Sequence, residues 1–137
     1  MSYHTRGRKS PAGVPADALE KVPSAPTTLS AEGKKEWRRV MPVLVARRVL
    51  SPADITAAET YCAAVGDAAQ ARAALKRDGD YIANAKGELK RHPAWTTLRE
   101  ATTAARQWAA ELGLTPASRS RISEGGDDDD ADSDLGL

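Results

Sequence analysis

The chain between Ser51 and Gly79 is rich in alanine, which has the highest helix propensity, and this predicts an α-helix. Ser51 is a good N-cap, the proline after it suits the first helical position, and Asp54 supplies a short form of the capping box. Asp78 and Gly79 form a stop signal, so the pattern predicts a helix to about Arg77. One apolar stripe runs along it, between small residues; the stripe is Ile55, Ala58, Cys62, Val65 and Ala69, and the small residues are Ala63, Ala64, Ala68, Ala71 and Ala74.

Aromatic side chains are scarce, so small residues must fill the core. Among 137 residues there are three tryptophans, three tyrosines and no phenylalanine. Closely packed alanine-rich helices suit a small domain or a subunit interface, although helix propensity alone also explains the alanine. The single cysteine, Cys62, cannot form an internal disulfide, and we expect it to be a small core residue. No 18-residue apolar window or signal-peptide pattern occurs, so we expect a soluble cytoplasmic protein without a membrane partner.

The segment that begins at Ser30 has the pattern of an amphipathic helix. Its apolar face is Trp37, Val40, Met41, Leu44 and Val45, and its basic residues are Lys34, Lys35, Arg38 and Arg39. Like charges at this spacing repel one another, so the basic residues indicate either a solvated face or a bound anion. Pro42 lies within the pattern and predicts a kink or an end of the helix near Val40 or Met41.

The segment from Asp80 to Arg91 predicts a β-hairpin or an extended loop, with Gly87 at a positive φ. Pro93 then opens a third helix whose apolar seam needs a helical partner, either in the same chain or in a neighbouring subunit. His92 indicates a helix boundary rather than a general base, because no nucleophile or carboxylate constellation accompanies it. The seam consists of Trp95, Leu98, Thr102, Ala105, Ala109 and Leu112.

The third helix is followed by a stop and a new start. Gly113 suits the left-handed position of a Schellman ending, in which Leu114 folds back on Trp108 or Ala109. Thr115 then caps another helical start, with Pro116 at its first position. Arg119 and Arg121 follow shortly after.

Charge is strongly segregated along the chain. Residues 1–122 contain all 20 lysines and arginines and 12 of the 19 acids, a net charge of +8, whereas residues 123–137 carry −7. A basic body indicates a polyanionic partner, and an acidic tail indicates a competitor for the same surface or a second, basic partner. We expect three regions: a disordered basic arm (1–28), a mainly α-helical domain with a short hairpin between its second and third long helices (29–122), and a disordered acidic tail (123–137).

Catalytic and metal-binding patterns are not found in the sequence. Gly33-Lys34 lacks the other residues of a phosphate-binding loop, and the aspartate run lacks the glycine and the closing glutamate of an EF-hand. We therefore expect neither an enzyme nor a cofactor or metal.

The order of five segments along the chain can be compared with known families. The segments are Leu29-Ser30 before the basic helix, Pro42-Val43-Leu44, Leu50-Ser51-Pro52-Ala53-Asp54, Lys90-Arg91-His92-Pro93-Ala94, and Glu111 to Arg121. In this order they resemble the small terminase subunit of tailed bacteriophages, in particular a helical family that ends in an LGLTP-S-R-R motif. The resemblance covers about residues 29–122. Where this chain has His92, the family usually has asparagine.

The resemblance implies a non-catalytic protein of the host cytoplasm that assembles as a ring and binds double-stranded phage DNA. It also implies that the protein recruits and modulates the large terminase subunit, which holds the ATPase and nuclease. We assign the tail to that subunit or to autoinhibition. Expected DNA contacts are Arg6, Arg8, Lys9, Lys34, Lys35, Arg38 and Arg39, with Arg47 and Arg48 as weaker candidates; expected core or interface residues are Trp37, Trp95, Leu98, Trp108, Leu112, Arg119 and Arg121.

Two other functions remain compatible with the sequence. Short helices with basic faces also suit a helix-turn-helix regulator, although no turn with a recognition helix can be placed. A structural interaction module is the other. The segregated charge argues against that reading. For the arm itself, residues 1–28, a merely solubilising role is the alternative to contact with nucleic acid.

Overall fold

The computed structural model describes residues 14–127, with side chains as far as Ile122. Its elements are α1 (Ala31–Ala46), α2 (Ile55–Asp78), β1 (Tyr81–Ala83), β2 (Leu89–Arg91), α3 (Ala94–Glu111) and α4 (Pro116–Asp127). The expected fold, mainly α with a short hairpin between the second and third long helices, is confirmed. Arg6, Arg8 and Lys9 lie outside the described residues, as does the acidic tail from residue 128 onward.

Helix α1 begins at its predicted cap but does not end at its proline. The Ser30 hydroxyl accepts a hydrogen bond from the Gly33 N–H at 3.2 Å. Of the predicted kink or end near Val40 or Met41, the end is wrong, because α1 continues through Pro42 to Ala46, and the kink stays a prediction. A proline inside a helix costs about 3 kcal/mol. Burial of Leu44 and Val45 beyond it, each contributing roughly 1.5–3 kcal/mol, offsets that cost.

Helix α2 follows a single turn of 3-10 helix, Pro52–Asp54. The Asp54 carboxylate accepts hydrogen bonds from the Ser51 N–H at 2.8 Å and from the Ser51 hydroxyl at 3.0 Å. At the other end, the N–H of Gly79 donates to the Leu75 carbonyl, and Gly79 has φ 83°. The start and stop signals therefore predicted this helix to within a few residues.

Helix α2 lies at the centre of the fold, because both α1 and α3 pack against it. The seam of α3 thus finds its helical partner within the same chain. The core contains two aromatic side chains, Trp37 and Tyr61, and is otherwise filled by small or aliphatic ones, as the composition required. Its buried residues are Leu29, Trp37, Val40, Met41, Leu44, Leu50, Ala58, Tyr61, Cys62 and Leu112.

The hairpin extends from the end where α2 finishes and α3 begins. Its strands are antiparallel, with Tyr81 opposite Arg91 and Ala83 opposite Leu89. Gly87 in the turn has φ 79°, as predicted. Every residue of both strands is exposed, so the hairpin adds little to the core.

Part of the segment expected to be a flexible arm lies against the helices. The Leu19 N–H donates to the Leu50 carbonyl at 2.8 Å, and the Trp37 indole N–H donates to the Pro23 carbonyl at 2.9 Å. Ala18 is buried, and Leu19 and Ala25 pack on the core. These isolated contacts have no periodic sequence signal, which is why the pattern did not predict them; a boundary at residue 28 stays a prediction.

None of the helices within residues 14–127 is long and apolar enough to cross a membrane.

Candidate nucleic-acid interface

Two basic residues of α1, Lys35 and Arg38, lie outside the buried face of the helix. Trp37, Met41 and Leu44 fix this orientation, because they are buried. Lys35 and Arg38 are exposed as a result, and Lys34 is half-buried on the flank. Within residues 14–127, neither Lys35 nor Arg38 forms a salt bridge, so both charges face solvent.

Arg39 differs from its neighbours because a carboxylate engages it. Its guanidinium donates two hydrogen bonds to Glu36, one of them from Nε to Oε2 at 2.9 Å. The Tyr61 hydroxyl of α2 donates to the same carboxylate at 2.7 Å. The Arg39 guanidinium lowers the pKa of Glu36, and burial together with Glu36 raises the pKa of Tyr61 to about 12. Arg39 is therefore partly neutralised and is a poorer phosphate contact than Lys35 or Arg38.

The turn after α1 holds the weaker candidates Arg47 and Arg48. The N–H of Arg48 donates to the Val45 carbonyl and that of Val49 donates to the Leu44 carbonyl, which is the pattern of a Schellman ending. Arg48 has φ 56° and is the one described non-glycine residue with a positive φ. An arginine thus occupies the left-handed position that glycine prefers.

The junction between α3 and α4 forms as predicted. Leu114 N–H donates to the Ala109 carbonyl at 2.8 Å, and Gly113, at φ 71°, donates to the Ala110 carbonyl at 3.2 Å. The Thr115 hydroxyl accepts from the Ser118 N–H at 3.2 Å and caps α4. Helix α4 then runs to Asp127, five residues past the expected domain end at 122.

Arginines from distant parts of the sequence meet at this junction. Arg47 Nη1 donates to the Gly113 carbonyl at 3.3 Å, and so links the α1–α2 turn to the end of α3. Arg47 and Arg48 line one groove of about 570 Å³, and Arg47 and Arg119 line an adjoining groove of about 260 Å³. Arg121 is exposed on α4. Because Arg47 and Arg119 lie far apart in sequence, periodicity could not bring them together.

The aromatic and aliphatic residues assigned to the core or an interface divide by depth. Trp37 and Leu112 are in the core, while Trp95, Leu98 and Trp108 are half-buried. The guanidinium carbon of Arg91 lies 4.4 Å from the centre of a Trp95 ring, in a cation–π contact. The Trp95 indole N–H is buried and has no hydrogen-bond partner among the described residues.

His92 stands at the start of α3 and connects it to the end of α2. Its Nδ1 accepts a hydrogen bond from the Ala94 N–H at 3.0 Å, so Nε2 carries the proton and donates to Asp78 at 2.9 Å. Hydrogen bonds from Arg77 and His92 hold the pKa of Asp78 well below its usual range. His92 therefore satisfies a backbone N–H at the start of α3, as a capping side chain does. The side-chain oxygen of an asparagine at this position could accept from the same N–H.

Comparison with known protein families gives a match over most of the described chain. The family described as phage terminase, small subunit, matches residues 33–129, from the first turn of α1 to just beyond α4. No curated protein and no solved structure is significantly similar to the chain. The match includes the basic face of α1, the α1–α2 turn and the α3–α4 junction.

Proposed function

Because the chain belongs to the small-subunit family of phage terminases, we propose that it binds double-stranded phage DNA as a ring and recruits the large terminase subunit to start genome packaging. The observation that carries the proposal is the family match over residues 33–129. The small subunit is generally the non-catalytic one, and we propose that this chain too has no activity of its own and acts in the host cytoplasm.

The exposed basic face of α1 supports the DNA-binding part of the proposal. Lys35 and Arg38 project from one rigid helix whose opposite side is buried, so their spacing is fixed before any ligand arrives. Lys34 flanks them, and Arg6, Arg8 and Lys9 of the N-terminal arm would add further phosphate contacts. Arg39 contributes less, because Glu36 already holds its guanidinium.

Contacts of this kind recognise phosphates rather than bases. They release counterions from DNA, so the affinity falls steeply with salt while sequence preference stays small. A ring of identical subunits multiplies each weak contact by its copy number. Selection of the packaging site would then depend on DNA shape and bending or on the large subunit.

Salt-dependent binding to a linear duplex tests the DNA-binding part. We expect Lys35→Ala/Arg38→Ala to reduce the slope of log affinity against log salt by about 0.9 for each phosphate that the variant no longer neutralises. The matched control, Arg72→Ala/Lys76→Ala, removes the same charge from exposed positions of α2 and should leave the slope nearly unchanged. Wild-type binding without a salt slope, or equal effects of both variants, would contradict the assignment.

Native mass tests the ring. We expect a closed assembly of many copies at micromolar concentration, because an open or dimeric assembly would present too few α1 faces to surround or line a duplex. A stable dimer would instead favour the helix-turn-helix regulator, and a monomer without DNA affinity would favour a structural interaction module.

A further inference from the structure

The grooves at the α3–α4 junction combine a basic rim with an apolar floor. The two adjoining grooves share Arg47 on the rim and Val49, Leu112 and Ile122 along the floor. Arg48 and Arg119 extend the rim on either side. Asp54 and Glu111 also line the larger groove, and the Asp54 carboxylate is already engaged by Ser51. This surface fits a ligand that carries both acidic and aliphatic side chains.

The C-terminal segment of the chain has this chemistry. Residues 127–134 contain six aspartates, at positions 127–130, 132 and 134, and Leu135 and Leu137 follow them. Acidic groups can pair with the arginine rim while leucines contact the apolar floor. Duplex DNA offers the same charge, but its backbone presents phosphates and sugars rather than aliphatic side chains that could fill the space beside Val49, Leu112 and Ile122.

The segment also begins within reach of the groove. Ile122 lines the groove and Asp127 ends α4, about 7.5 Å further along the helix. The ten residues beyond Asp127 can span up to about 33 Å. That reach is several times the rise between Ile122 and Asp127, so the chain beyond Asp127 is long enough to fold back over α4 to the groove.

We propose that the acidic tail, residues 128–137, docks in cis into the groove formed by Arg47, Arg48, Arg119 and the apolar floor. The docked tail covers Arg47 and Arg48, which are also expected DNA contacts. If the proposed function is correct, the tail therefore shields part of the DNA-binding charge until another ligand displaces it. Arg48 has a positive φ, a conformation that glycine adopts without steric cost. A glycine at this position would remove the strain but would also remove one positive charge from the rim of the groove.

Disulfide trapping in the full chain tests the docking directly. The trapping variant is Glu111→Cys/Gly136→Cys, with one cysteine on the groove and one near the end of the tail. The matched control is Thr103→Cys/Gly136→Cys, whose cysteine is exposed on α3 two turns before position 111 and outside the groove. Cys62 can stay in place, because it is fully buried and burial raises the pKa of its thiol to about 12.

Under mild oxidation we expect the intrachain disulfide to form at least about fivefold faster in the groove variant than in the control, because docking raises the local concentration. The ratio should fall towards one in about 1 M salt, where the screening length is about 3 Å. It should also fall when the six aspartates are replaced by asparagine.

Three results would overturn the proposal. Equal rates in the groove and control variants would show that the tail does not dock there. If the ratio of rates did not change with salt or with the asparagine replacements, charge pairing would not be what holds the tail in the groove. A disulfide between chains, recognised by its doubled mass on a denaturing gel, would show that the tail docks on another subunit. No DNA or large subunit is present in this experiment. The docking proposal can therefore fail while the proposed function stands, and the proposed function can fail while the docking proposal stands.

Discussion

Gly66 lies where α2 closely approaches the start of α1. A β-carbon there would be 2.3 Å from the Ser30 hydroxyl oxygen and 3.2 Å from the Gly33 nitrogen. The hydroxyl holds the cap of α1, so it cannot turn away without losing that hydrogen bond. The glycine therefore serves close packing between helices rather than a special backbone angle.

We predict that Gly66→Ala lowers the free energy of unfolding by about 1–2 kcal/mol, because overpacking and loss of the cap exceed a helix-propensity gain of up to about 1 kcal/mol. Urea unfolding measures the change. The double variant Ser30→Gly/Gly66→Ala should cost less than the sum of the single changes, with a coupling above about 0.5 kcal/mol. Gln70→Ala, an exposed change one turn further along α2, is the control. If the costs of Ser30→Gly and Gly66→Ala simply added, the proposed clash between the new β-carbon and the Ser30 hydroxyl would be contradicted.

The left-handed backbone of Arg48 leads to a second prediction at the residue scale. Arg48→Gly should raise the free energy of unfolding by about 1 kcal/mol, because glycine adopts a positive φ without steric cost. Arg48→Ala removes the same charge but keeps the β-carbon, so its stability should stay close to wild type. Equal stabilisation by both variants would mean that charge repulsion, rather than backbone strain, is relieved.

At the scale of elements, the carboxylate of Glu36 links α1 to α2 through Arg39 and Tyr61. The pKa of Glu36 is lowered from an ordinary value of 4.5, chiefly by the Arg39 hydrogen bond. A lowered folded-state pKa means that this link contributes its full stability above pH 4.5 and loses it as the pH falls through the folded value.

We predict that Glu36→Gln destabilises the fold by about 1.5 kcal/mol at neutral pH, a modest value because the Arg39 side chain is 68% exposed. The difference between wild type and variant should shrink as the pH is lowered from about 7 to about 3, since the wild-type carboxylate then becomes protonated. Denaturant unfolding at several pH values measures it. Glu100→Gln, an exposed change on α3, is the control; a difference that does not vary with pH would refute the link.

Local sequence signals predicted the elements well, and long-range contacts account for what they missed. Ser30, Gly79, Gly113 and Thr115 mark helix ends through hydrogen bonds to residues only a few positions away, so their roles could be predicted. At Pro42 two local signals disagree, because the proline predicts a break while the apolar period continues through Leu44 and Val45; the burial of those two residues decides for the helix. Neither the Glu36–Tyr61 hydrogen bond nor the arginine-lined groove could be predicted from spacing, because both depend on long-range contacts.

For the whole molecule, one small helical body has to serve several partners. In the proposed arrangement, the face of α1 binds DNA, the half-buried residues of α3 remain for neighbouring subunits, and the groove at the α3–α4 junction binds the acidic tail. The tail then couples the partners, because whatever displaces it exposes Arg47 and Arg48.

Removal of residues 128–137 is expected to raise affinity for linear duplex severalfold at low salt and to have little effect at high salt. Unchanged affinity at low salt would show that the tail does not shield the DNA-binding charge.

Binding between this chain and the large terminase subunit encoded by the same phage tests the central claim most directly. With the full-length chain immobilised and the purified large subunit in solution, we predict saturable binding at or below micromolar concentration, or about −8 kcal/mol. An unrelated ATPase serves as the control. No binding of the large subunit at tens of micromolar, with or without duplex DNA, would contradict the account.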